Sequence, residues 1–147
     1  MKLKTLVAFL LPLAITAIFL SCEEEKEEYV HPVFGKMIQE PSKVSPGEMV
    51  TLTVSQQQKG NGIEKTTYTW TIKSFHIVPG EGTIKDSVFT ERTNYDGYGK
   101  ADPVLTFRVP STCTLGSYKV QLHAQFTGYI GNNLWDEAST WGTLIVQ

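Results

Sequence analysis

The chain has 147 residues, with 13 lysines and arginines, 15 aspartates and glutamates, and two cysteines. Removing the first 21 residues, read below as an export segment, leaves enough chain for one domain that buries roughly two-thirds of its unfolded surface without cross-links. From Tyr29 onward ten basic residues face ten acidic ones. This balance gives no electrostatic reason to expect nucleic acid, and the length leaves no room for a cofactor domain beside a catalytic one.

Residues 1–21 form the first unit. Lys2 and Lys4 precede an uncharged apolar run from Leu6 to Leu20, and Ser21-Cys22 follows. A basic start, an apolar centre and a small residue at the break predict a cleaved signal peptide. A membrane-spanning helix wants about 20 apolar residues; this run is shorter and Pro12 interrupts it. Residues 22–33 follow, opening with Glu23-Glu24-Glu25-Lys26-Glu27-Glu28. A like-charged block of this kind predicts a solvated, flexible tether of roughly 20 Å.

Residues 34–147 form the third unit. No window there sustains a helical apolar period, whereas alternation with period two recurs between Gly, Pro, Asn and Asp clusters. Weaker strands are expected near residues 34–38, 75–78 and 83–89. Val50, Leu52 and Val54 point inward from a strand over 49–54, and Tyr68, Trp70 and Ile72 from one over 68–72. Leu105, Phe107 and Val109 do so over 104–109. Tyr118, Val120, Leu122, Ala124 and Phe126 line the inner face of the clearest strand, leaving His123 outward. Residues 140–146 close the chain. The pattern predicts an all-β, antiparallel β-sandwich of about seven to eight strands.

Three resemblances carry these readings further. Phe19-Leu20-Ser21-Cys22 resembles the lipobox of bacterial lipoproteins, which implies acylation of Cys22 and anchoring through its lipid. Lys26-Glu27-Glu28 resembles the surface-export signal of Bacteroidota lipoproteins, which implies an outer-membrane, surface-exposed protein. Ser45-Pro46-Gly47-Glu48 with Val50-Thr51-Leu52-Thr53, Trp70, and Leu115-Gly116-Ser117-Tyr118-Lys119-Val120 resemble immunoglobulin-like and PKD-like domains. That last likeness implies a buried Trp70 and a Tyr118 hydroxyl bonded back to nearby backbone. It specifies fold and is almost silent on function.

Chemistry has few candidates. GxSxG, GxGxxG, HExxH and CxxC are absent from the sequence. His31, His76 and His123 lack metal-ligand spacing, so no metal or cofactor is expected. Cys113 has no His, Lys or Asp beside it to activate a thiolate, so a packing role is expected. Asn94, Asp96 and Asp102 offer oxygens among glycines, yet the terminal glutamate of a calcium loop is missing. An enzyme is not expected.

Binding is the stronger reading. In an immunoglobulin-type sandwich the connections over residues 56–65, 90–103 and 128–138 share one end, and in this sequence all three read as long. Long loops on a rigid scaffold carry binding residues. Tyr95, Tyr98, Tyr129, Asn132, Asn133 and Trp135 lie there, suited to a glycan or to a neighbouring membrane protein. The expectation is a non-catalytic, membrane-anchored binding or accessory module. The alternatives are a structural spacer and a glycan-binding surface protein. The anchor generates the first prediction: Cys22→Ser leaves an unacylated precursor, read by metabolic labelling with a fatty-acid analogue. Equal labelling of mutant and wild type would remove the lipoprotein reading.

Overall fold

The computed structural model describes residues 28–78, 80–95, 100–128 and 134–147. Seven strands follow in order: β1 (Val33–Glu40), β2 (Met49–Gln58), β3 (Lys65–Ile77), β4 (Ile84–Asn94), β5 (Val104–Arg108), β6 (Gly116–Gly128) and β7 (Leu134–Val146). They pair antiparallel into a three-stranded sheet ordered β1-β2-β5 and a four-stranded sheet ordered β4-β3-β6-β7. This is a seven-stranded immunoglobulin-like sandwich. No helix among the described residues is long and apolar enough to cross a membrane.

The inward residues of the alternating runs make the core. Val50, Leu52 and Val54 of β2 face Trp70, Ile72, Val120, Leu122, Ala124 and Phe126 of β3 and β6, all of them buried. Trp70 pairs across strands with Leu122, and Ile72 with Val120. The Tyr118 hydroxyl donates to the Thr114 carbonyl at 2.5 Å, and its ring meets Phe75 edge-on at 5.1 Å. Cys113 is buried, with its Sγ 3.4 Å from the Tyr118 oxygen.

Two strands differ from the alternation. β3 is one strand where two were expected, because a bulge between Ile72 and His76 absorbs the break in period. At the bulge Ser74 takes φ 52. Asp86 holds it: Oδ1 accepts from the Ser74 amide at 2.9 Å and Oδ2 from Lys73 Nζ at 2.7 Å. The bulge lets Phe75 turn inward. β7 begins at Leu134, six residues earlier than expected. Its inward positions there are Asp136, Ala138, Thr140 and Gly142, which carry little apolar signal because β1 lies too close for bulk. A Cβ on Gly142 would sit 2.5 Å from Met37 Sδ, and Thr140 Oγ1 donates to the Gly35 carbonyl at 3.2 Å.

The outer edge of β7 is closed by β1 through a side chain. Gln39 Nε2 donates to the Ile145 carbonyl at 3.0 Å, and Gln39 Oε1 accepts the Ile145 amide at 2.7 Å. The amide side chain supplies what a neighbouring strand's backbone would, so this stretch of edge offers no free ladder.

These contacts set the stability prediction. Leu122→Ala costs about 2–5 kcal/mol through a cavity between the sheets. Tyr118→Phe costs less, about 0.5–1.5 kcal/mol, since the hydrogen bond it loses lies near solvent. Urea melts of both variants measure the difference.

Candidate functional site

The connections β2–β3, β4–β5 and β6–β7 share one end, as the topology requires, but length does not distinguish them. They run five to nine residues, against six to eight at the opposite end. The strands reach further than the alternation indicated, above all β7. The case for loop tips as the recognition surface therefore loses its basis.

Tyr95 corrects the expectation most directly: it is fully buried. Its ring packs edge-on against Phe126 at 5.8 Å. Its hydroxyl accepts the Gly60 amide at 2.7 Å and donates to Gln56 Oε1 at 2.9 Å. Burial raises its pKa, and the Gly60 amide opposes the rise. Tyr95 thus plugs the end of the core and ties the β2–β3 connection to β4. Asp102 is likewise engaged, accepting the Gln56 amide at 2.9 Å, while Asp96 lies outside the described residues. Among the described residues no three of His, Cys, Asp and Glu come together as a metal site. Tyr98, Tyr129, Asn132 and Asn133 lie outside the described residues.

Trp135 is 62% exposed and Trp141 is 53% exposed. Leu144 and Val146 are buried, so the period of two sends every odd residue of β7 outward. Both indoles therefore share the outer face of the four-stranded sheet, six residues or about 20 Å apart. Trp141 was not among the expected binding residues, although counting back from Val146 would have found it.

The pairing fixes the rest of that face. Trp141, Gln121, Thr71 and Val88 form one row across β7, β6, β3 and β4, and Ser139, His123, Thr69 and Thr90 the next. Glu137, Gln125, Thr67 and Arg92 follow, and Trp135, Thr127, Lys65 and Asn94 complete the set. An open cleft of about 600 Å³ is lined by Lys73, Lys119, Trp141, Gly142 and Thr143. A second, of about 310 Å³, is lined by Lys65, Thr67, Arg92, Asn94 and Thr127, the last being the cross-strand partner of Trp135.

Two carboxylates stand on this face, Asp86 and Glu137. Asp86 takes Lys73 and the Ser74 amide, and these hydrogen bonds hold its carboxyl below the usual range. Glu137 lies 3.5 Å from His123 Nε2, whose Nδ1 is 2.9 Å from Ser139 Oγ. No carboxylate among the described residues lies within ion-pair distance of Lys119 or Arg92.

The stretch expected as tether is docked from Glu28 onward. The Val30 and Asn61 backbones exchange two hydrogen bonds at 3.1 Å each. Gln58 Nε2 donates to the His31 carbonyl at 3.0 Å. The Asp136 carboxylate, inward on β7, accepts from the Tyr29 hydroxyl and from the His31 ring. The length of chain before Val33 that the acidic composition suggested was free is therefore shorter, because Tyr29, His31 and Pro32 find partners the charge pattern did not reveal. Residues 22–27 lie outside the described residues.

No protein-family model matches the chain, and no curated protein is similar to it. Among solved structures, the chain is similar to Spo0M, a sporulation control protein from Bacillus subtilis, at a TM-score of 0.39 and 17% identity. That match covers 80% of this chain and 50% of that one, so the chain spans half its length.

The docked segment has a pH dependence of known sign. Burial raises the Asp136 pKa, but the Tyr29, His31 and Glu137 hydrogen bonds outweigh it and lower the carboxyl below its ordinary 3.8. A lowered carboxylate stabilises the fold fully above its ordinary value and ceases to do so as pH falls through the lowered one. Acid titration followed by NMR is expected to move the Val30 and Asn61 amides from their native shifts below that value. In Asp136→Ala they are displaced already at neutral pH.

Proposed function

We propose that this chain is a lipid-anchored, non-catalytic binding module of the outer membrane, displayed at the cell surface, whose recognition surface is the outer face of the four-stranded sheet. The observation that carries the reading is the pair of indoles, Trp135 and Trp141, exposed on one face of an edge strand. The domain's third tryptophan, Trp70, is in the core. An exposed indole forgoes a large burial gain, and such residues are enriched where a partner supplies that burial. A spacer needs a stable sandwich but has no use for two outward indoles.

The anchor belongs to the same reading. With Cys22 acylated, the lipid would sit six residues before the docked Glu28, a reach of about 20 Å when fully extended. The module would stay beside the bilayer, within reach of neighbouring membrane proteins and of glycans held at the surface.

Trp135→Ala and Trp141→Ala are expected to keep the melting temperature within a few degrees, since both side chains are more than half exposed. Crosslinking pull-down from intact membranes should then lose the captured partner, because truncating an aromatic anchor often costs 2 kcal/mol or more, about thirtyfold in affinity. Unchanged capture by the double variant would leave the spacer reading in its place.

A further inference from the structure

The geometry points to a binding site for a linear polysaccharide bearing carboxylates, a polyuronate, laid across the outer face of the four-stranded sheet. It would have one subsite at Lys73, Lys119 and Trp141 and a second at Lys65 and Arg92, with Trp135 two strands away from Lys65 in the same row. This inference rests on the binding-module reading and names its ligand class. One cleft joins an exposed indole to two cations, Trp141 with Lys73 and Lys119, and a second cleft holds Lys65 and Arg92 beside Thr127, the cross-strand partner of the exposed Trp135. An indole face stacks on the C–H face of a sugar ring, and an ammonium or guanidinium reads the carboxylate that a uronate ring carries.

Charge complementarity favours an anionic ligand. The four cations share their face with two carboxylates, Asp86, held by Lys73 and the Ser74 amide, and Glu137, 3.5 Å from His123 Nε2. Lys119 and Arg92 have none among the described residues. The domain is neutral by count, so the excess on this face is an arrangement. Both clefts are open on a flat sheet, which suits a chain passing across them better than an enclosed single sugar. Between the indoles on β7 stand Glu137 and Ser139, and beside them on β6 Gln121, His123 and Gln125, with the donors and acceptors that sugar hydroxyls use. The separation of about 20 Å asks for a ligand several rings long.

The test uses the mature lipoprotein in detergent micelles. Its binding is measured to polygalacturonate, alginate and hyaluronate, each beside its carboxyl-reduced, neutral counterpart. At least one polyuronate should bind, with its reduced form at least about tenfold weaker. Lys119→Gln, Arg92→Gln and Trp141→Ala should each weaken binding about tenfold, with melting temperatures unchanged. Trp141→Phe, which keeps a stacking face, should recover part of the loss. Equal binding of charged and reduced polymers, or binding of none of the three, would overturn the proposal. If no polymer binds while crosslinking still captures a Trp135-dependent partner, the ligand class is wrong and the binding module stands. If both fail, the module reading fails with it.

Discussion

The close approach of β1 to β7 governs what the outer sheet face can be. Met37 lies where a side chain on Gly142 would have to go, and the Gln39 amide closes a two-way bond with Ile145. Together with buried Leu144 and Val146 these contacts fix which residues of β7 point in. A slip of one residue would send every side chain to the other face and push Leu144 and Val146 into water. The same constraint holds Trp135 and Trp141 outward in register with β6 and β3. Their exposure follows from packing on the opposite side of the strand.

The N-terminal segment adds orientation to position. Asp136 is the inward neighbour of Trp135, and its carboxylate is where Tyr29 and His31 dock. The chain therefore enters the domain at the end of β7 that carries one of the two indoles. Val30 and Asn61 close the other side of that entry through backbone hydrogen bonds. A lipid attached six residues before Glu28 would hold this end toward the bilayer, while the length of β7 leads away from it. Trp141 and its cleft would then stand farther from the membrane than Trp135.

Much of the sandwich was legible in the sequence because burial on one face imposes period two. The β6 alternation from Tyr118 to Phe126 and the inward Trp70 follow from local pattern, while the tyrosine hydroxyl bonded back across four residues was implied by the likeness to immunoglobulin-like domains. The failures have physical causes as specific. Tyr95 reads as a loop aromatic, but it lies one residue past β4, where the gap between the sheets is filled by its ring against Phe126. The early start of β7 was hidden because its inward face uses Asp136, Ala138 and Gly142, small or hydrogen-bonded residues that a hydrophobic count ignores. The bulge at Ser74 is set by Asp86, twelve residues away, which no local window contains. For the site, the tip of the β6–β7 hairpin drew attention to Trp135, whereas Trp141 was hidden by its place within a strand.

Charge shows most clearly why counting residues stops short of function. Ten acids against ten bases from Tyr29 onward describe a neutral domain, and neutrality argues against long-range steering of a polyanion. Contact chemistry depends instead on which charges share a face and which already have partners. Lys73 shares its cation with Asp86, and Lys65 lies 3.7 Å from Glu64, so each cleft pairs one committed cation with one that has no carboxylate near it among the described residues. A ligand with spaced carboxylates meets that pattern without requiring the domain to be basic. Nucleic acid draws its affinity from many phosphate contacts at once, and four cations divided between two ends offer few. On the proposal above, the arrangement would suit carboxylates carried on rings that can stack. That property belongs to the register of four strands and is not visible in the composition.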